Sequence, residues 1–274
     1  MGSTLDRRSE LSLRVASALV MAAVALGATW AGGLWFRALW VVAGVAIAAE
    51  WMAMTRVEPR RMATGLAGAG ILGFASAEMA GAGPALLAAV AGLAIGAVAI
   101  AGAGLRDKLW GVAGFGYAAV VALVPPALRE RPGLGAVAVL WMFAVVWTTD
   151  VAAYFAGRRF GGPKLWPSVS PKKTWSGFAA GLVGGAAAAT LLVALAAPDA
   201  IPGGLVAVAL ASAAASVASQ LGDLGESAMK RRFAVKDSGR LIPGHGGVMD
   251  RLDGFAAVAL LCGLALVGAR SAGH

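Results

Sequence analysis

Charged residues make up only 14% of this 274-residue chain, where a soluble domain usually carries about a quarter. So little charge cannot cover a globule, which excludes a soluble enzyme. The 59% hydrophobic content excludes a disordered chain as well. Cysteine occurs once, as Cys262 inside an apolar run, so no intrachain disulfide can form and the redox compartment is not readable. Histidine occurs twice, at His245 and at the terminal His274, which leaves no His-based zinc set. Strict alternation of polar and apolar residues is also missing, and with it the mark of a membrane barrel. An integral membrane protein made of helices remains.

A helix needs roughly 20 apolar residues to cross the hydrocarbon. Nine stretches meet that need: 11–30, 34–55, 62–80, 84–104, 109–128, 134–157, 178–197, 201–221 and 252–269. The expected fold class is all-α, a polytopic integral membrane protein with about nine transmembrane helices. The first stretch follows a charged segment without a convincing cleavage site, so it is expected to be retained. With nine spans, 19 of the 23 lysines and arginines fall on the N-terminal tail and every second loop. Only Arg37, Arg129, Arg131 and Arg270 fall on the other side. The positive-inside rule then puts the N-terminus in the cytoplasm and the C-terminus outside. Trp30, Trp35, Trp40, Trp51 and Trp110 read as interfacial anchors, and Glu50 and Glu78, near span ends, are expected to reach the interface. Gly177, Gly181 and Gly185 suggest close helix packing within the monomer.

Polar chemistry gathers late in the chain. Residues 1–133 read as a transmembrane scaffold of about five helices, and residues 134–274 as a catalytic region with inside loops 158–177 and 222–251. Inside loops are basic for topology alone, but topology does not call for Asp223, Glu226, Asp237, Asp250 and Asp253. Acids beside bases, with Gly, Pro and His, point to a metal-and-phosphate site. Ser212, Ser216, Ser219 and Asp223 follow one helical face, which aims Asp223 into the bundle. Asp150 sits at the inner end of the sixth span with Tyr154 one turn on, and polar residues within spans usually mark a functional interior. Asp223 ends span eight and Asp250 begins span nine, so an antiparallel pair would bring both carboxylates to one depth. Paired carboxylates near phosphate suit Mg²⁺. The glycines of Pro243-Gly244-His245-Gly246-Gly247 could close backbone N–H groups around anionic oxygens, with Lys230, Arg231 and Lys236 supplying charge. His245 could be a general base, a phosphate donor or a turn residue.

The run S-A-M-K-R-R-F-A-V-K-D-S-G-R-L-I-P-G-H-G-G-V-M-D-R-L-D over 227–253 closely resembles the signature of phosphatidate cytidylyltransferases (CDP-diacylglycerol synthases). The S-P-K-K-T run over 170–174, and Asp150 with Ala153-Tyr154, resemble the family's other recurrent segments. The resemblance implies a Mg²⁺-dependent reaction of CTP with phosphatidic acid that yields CDP-diacylglycerol and pyrophosphate. It implies metal roles for Asp223 and Asp250, with Lys173 joining them as catalytic. Substrate-binding roles follow for Ser170, Lys172, Thr174, Ser227, Lys230, Arg231, Lys236, Asp237, His245, Gly246, Gly247, Arg251 and Asp253, with Asp150 as a supporting polar residue. Two positions depart from the pattern: Ser176 stands where the family commonly has Glu, and Gly254 where Ser is common. A homodimer in the cell (inner) membrane is implied by the resemblance alone, and no nucleic-acid partner is expected.

The chemistry fits these residues without the name. A phosphate-monoester nucleophile is already anionic near neutral pH, so positioning and charge neutralisation dominate. The nearest rivals are a CTP-using lipid kinase or a cytidylyltransferase for another lipid. A transporter is the rival from another class, but transporters collect polar residues near the midplane and show symmetry between halves. Here the polar residues collect at the inner surface and the halves look unlike.

Overall fold

The computed structural model describes residues 4–198, 203–242, 244 and 246–271, with side chains described from residue 15 to residue 268 of that set. Among them are nine helices: α1 (Thr4–Ala31), α2 (Gly33–Thr55), α3 (Arg60–Met79), α4 (Pro84–Ala101), α5 (Leu105–Arg129), α6 (Gly135–Phe160), α7 (Trp175–Ala196), α8 (Gly204–Arg232) and α9 (Met249–Ser271). Seven are long and apolar enough to cross a membrane: α2, α4 to α8, and the 249–268 part of α9. Of α1, the apolar part over 15–31 is shorter, and α3, diluted by glycine, serine and Glu78, falls outside that group. The chain is thus a multi-pass membrane protein in which backbone polar groups are satisfied within each helix, as a bilayer requires. The first inside loop is not irregular throughout. Its centre is an antiparallel hairpin of β1 (Lys164–Trp166) and β2 (Ser170–Thr174), with Lys164 opposite Thr174.

The chain divides into two compact units. The first comprises residues 1–123 and 235–251, and the second comprises residues 124–234 and 252–274. In the first, α2 packs against α1 and α3, and α3 against α4. The Trp51 indole of α2 donates to the Trp110 carbonyl of α5 at 2.9 Å and lies against the Tyr117 ring, 5.2 Å between centroids. Trp40 and Trp51 are therefore core residues, which corrects the expectation that they anchor the interface, whereas Trp30 and Trp35 are largely exposed. Glu78, at the end of α3, accepts from Arg37 Nη1 at 2.7 Å, and that arginine is itself buried. At the end of α2, Arg106 Nη2 donates to the Thr55 carbonyl at 2.6 Å, placing a cation where the helix dipole is negative.

In the second unit α6 packs against α7 and α8, and α7 against α8. The Gly177–Gly181–Gly185 stripe of α7 is buried. A Cβ on Gly177 would lie 2.8 Å from the Ala153 carbonyl of α6, and one on Gly181 would lie 3.0 Å from the Thr149 carbonyl. Only residues without that carbon let these two backbones approach so closely. The serine stripe of α8 is buried too. Ser212 accepts from the Trp141 indole at 2.8 Å, and Ser216 pairs with Thr149 at 2.8 Å. These hydroxyls hold helices together, and the same face carries Asp223 at its inner end.

Candidate functional site

The second unit brings together two of the expected catalytic residues. Lys173 on β2 places Nζ 2.5 Å from Asp223 Oδ2 on α8, with the lysine side chain 26% and the aspartate 34% exposed. One turn beyond, Ser227 donates to Asp223 Oδ1 at 3.4 Å. Lys230 Nζ lies 3.4 Å from Glu226 Oε1. Asp253, near the start of α9, is within hydrogen-bonding reach of Glu226 and in the field of Asp223 and Lys230. Arg231 donates through Nε to the Val169 carbonyl at 3.4 Å, tying the end of α8 to the hairpin. Lys172 projects exposed from β2, Ser170 is half-buried on the same strand, and Asp150 is exposed on α6.

Local sequence explains why the hairpin sits there. Thr174 is the N-cap of α7, its Oγ1 accepting from the Gly177 N–H at 3.1 Å, and it is only 4% exposed. A threonine oxygen at this position satisfies one of the helix's orphan donors. Ser176 pairs with Thr174 at 3.0 Å and donates to the Gly161 carbonyl at 2.5 Å. The position where the resembled family commonly has a carboxylate thus closes the base of the hairpin here. The Thr174 hydroxyl, expected on substrate, also serves this cap.

The signature loop of the first unit has a different organisation. Asp250, 7% exposed, accepts three hydrogen bonds on Oδ2: from the Ser238 N–H at 2.9 Å, the Ser238 hydroxyl at 2.9 Å and the Gly247 N–H at 2.8 Å. Glu50 of α2 accepts from the Val248 N–H at 3.0 Å and the Met249 N–H at 2.8 Å. The glycine-rich turn therefore directs these N–H groups at protein carboxylates. Gly246, at φ +86°, offers its carbonyl to the Ile242 N–H at 2.8 Å. Lys236, Asp237 and Arg251 are exposed, and His245 lies outside the described residues. Asp223 belongs to the second unit and Asp250 to the first.

Glu50 and Ser238 are functional candidates that sequence reasoning missed. Glu50 is the one acid within α2, and a carboxylate inside an apolar helix is a functional signal in its own right. Its expected place at the interface is corrected: it is 5% exposed and accepts from loop backbone.

Among the described residues, no three His, Cys, Asp or Glu side chains converge on one metal position. Mg²⁺ does not demand that, since it commonly takes one or two carboxylates and completes its shell with water and substrate phosphate. The oxygen donors around Asp223 fit such an ion. Asp223 lies against Lys173 and, with its side chain 34% exposed, is open enough to meet a ligand, while Glu226 is buried against Lys230.

Residues 12–267 match the model of the cytidylyltransferase family. Over 155 residues the chain is 52% identical to a phosphatidate cytidylyltransferase of Brucella suis biovar 1, covering 56% of this chain and 55% of that protein. It is 43% identical over 131 residues to the phosphatidate cytidylyltransferase of Bacillus subtilis, covering 48% of each. A protein of the same name from Staphylococcus saprophyticus is 42% identical over 142 residues, or 51% of this chain and 53% of that one. The chain spans about half the length of the curated relatives it matches.

Thr174 gives a direct test of the cap. Thr174→Val, which keeps shape and loses the acceptor, should lower stability by about 1 kcal/mol, while Thr174→Ser should stay near wild type. Thermal melts in detergent measure both, and equal stability of the two variants would show that the cap contributes nothing.

Proposed function

The chain belongs to the cytidylyltransferase family, and from that premise we propose that it transfers the cytidylyl group of CTP to phosphatidic acid, forming CDP-diacylglycerol and pyrophosphate for phospholipid synthesis. The contact of Lys173 with Asp223 carries the reading. It joins the S-P-K-K-T hairpin to the acidic end of α8, so a cation and a metal-binding type of carboxylate stand side by side, partly open. That arrangement suits a substrate made of phosphates better than one attacked by a serine or cysteine. The activity for which the Brucella and Bacillus relatives are named, that of a phosphatidate cytidylyltransferase, supports the same assignment.

The nucleophile is an oxygen of the phosphatidic acid monoester, anionic near neutral pH, so no protein base is needed to generate it. It attacks the α-phosphorus of CTP, the bond from that phosphorus to the bridging oxygen breaks, and pyrophosphate leaves with the electron pair. The obstacle is mutual repulsion of two anions, and the protein's work is binding, orientation and neutralisation. Lys172 and Lys173 on β2, with Lys230 and Arg231 at the end of α8, are assigned to the phosphates. Mg²⁺, when bound, neutralises phosphate charge and orients the oxygens it shares. Asp223 is assigned to hold it, and the matching role of Asp250 rests on the sequence resemblance. Residues 1–133 act as scaffold and residues 134–274 carry the reacting groups. The lipid keeps its tails in the bilayer while its head group meets the hairpin and the end of α8. The distribution of basic residues supports an inner-membrane orientation with the N-terminus and both loops cytoplasmic.

Three measurements test this reading. With CTP labelled in the cytosine ring, label should enter the chloroform-soluble fraction only when phosphatidic acid and Mg²⁺ are both present, while γ-phosphate label stays in water as pyrophosphate. Lipid carrying γ-label without cytosine would favour a lipid kinase instead. Asp223→Asn and Asp250→Asn should each lower turnover at least about a hundredfold, on the scale of removing a preorganised charge, with a cooperative melt retained in both. Wild-type rates in either would remove that residue from the reaction. For orientation, in a background lacking Cys262, cysteines at Ser168 and Leu241 should react only from the cytoplasmic side and one at Gly83 only from outside. Either loop probe reacting from outside would reverse the topology.

A further inference from the structure

We propose that Glu50, a residue of the membrane scaffold, is a positioning residue for the nucleotide: its carboxylate fixes the backbone of the loop that presents Lys236 and Asp250. The first ground is hydrogen bonding. Glu50 Oε1 accepts from Val248 N at 3.0 Å and Oε2 from Met249 N at 2.8 Å, across 198 and 199 residues of chain. These N–H groups stand at the entrance to α9, where a helix has no acceptors of its own and where negative charge is stabilising. Glu50 is therefore a cap for α9 supplied by α2. The second ground is close packing. A Cβ on Gly247 would lie 2.6 and 2.7 Å from the two Glu50 oxygens, and one on Gly239 would lie 2.6 Å from Glu50 Cδ. Two glycines of the signature are thus shaped around this carboxylate. The third ground is linkage to Asp250. Ser238 donates its hydroxyl and its N–H to Asp250, and the same hydroxyl lies 3.3 Å from Glu50 Oε2. Moving the loop off Glu50 moves the groups that orient Asp250.

The nucleotide part of this inference rests on the function proposed above, while the loop part does not. Glu50→Gln keeps size but turns one acceptor into a donor facing an N–H group. Glu50→Asp keeps both acceptors and loses a methylene. Hydrogen–deuterium exchange of the peptide over 241–252 should be at least tenfold faster in Glu50→Gln with exchange elsewhere in the helices unchanged. KM for CTP should rise at least tenfold, with KM for phosphatidic acid within twofold of wild type. Glu50→Asp should fall between wild type and Glu50→Gln in both readouts. A space-filling role gives the opposite order, with Gln near wild type and Asp worst; that order, or wild-type exchange in Glu50→Gln, overturns the proposal. If Glu50→Gln does not fold, Glu50→Asp decides: faster loop exchange with a raised KM for CTP supports it, and wild-type behaviour in both refutes it. A wild-type protein that makes no CDP-diacylglycerol would refute the function alone, because the exchange result still judges Glu50.

Discussion

Hydrocarbon provides no hydrogen bonds, so a polar group inside the bilayer must find its partner within the protein. Backbone groups do so by forming helices, and buried side chains follow the same demand. Thr55 bonds back to the Trp51 carbonyl at 2.7 Å, and Thr190 to the Ala186 carbonyl at 2.6 Å. Thr149 and Ser216 satisfy each other between α6 and α8. Arg37, the buried charge of early α2, is paired with Glu78. Among the described residues the chain departs from helix between the helices, and there the hairpin and the signature loop are found.

From that constraint a line of dependence runs through the second unit. The glycine stripe of α7 lets α6 and α7 approach at backbone distance, with Ala153 and Thr149 carbonyls against Gly177 and Gly181. This seam fixes where α7 begins, and Thr174 caps that beginning. Because Thr174 is also the last residue of β2, the cap fixes the strand, and the strand places Lys173 against Asp223. Small residues in one helix thus determine a charged contact at its end, with packing as the only intermediary.

Helix existence was readable from residues alone because nine apolar runs of bilayer length leave few alternatives, and the acids of 223–253 stood out against a basic loop. The tryptophans show where such reading stops. Trp30, Trp35, Trp40 and Trp51 all lie towards the ends of apolar runs, and only tertiary packing separates core from surface. Glu50 shows it more sharply. Its partners lie about two hundred residues away, and no periodicity in α2 reports a backbone N–H at Met249. Gly247 looked like a phosphate cradle because glycine freedom serves any close anion, and a side-chain carboxylate meets that description as well as a ligand does. Thr174, within a motif of lysines, also works as a helix cap, a role written in its position before an apolar run.

Ser238 shows how the two carboxylates of the first unit divide their donors. Its hydroxyl has one proton and two claimants, Asp250 Oδ2 at 2.9 Å and Glu50 Oε2 at 3.3 Å. The shorter contact takes the proton, since hydrogen bonds weaken with distance and the O–H···O optimum lies near 2.7–2.8 Å. Asp250 then holds the hydroxyl and the N–H groups of Ser238 and Gly247, while Glu50 holds those of Val248 and Met249. The donors are shared out without overlap, each backbone N–H meeting a single carboxylate. Every one of these donors has an acceptor within the protein, so this division holds the loop in one conformation. A scaffold helix contributes one of those two anchors, which makes the loop a product of both ends of the chain.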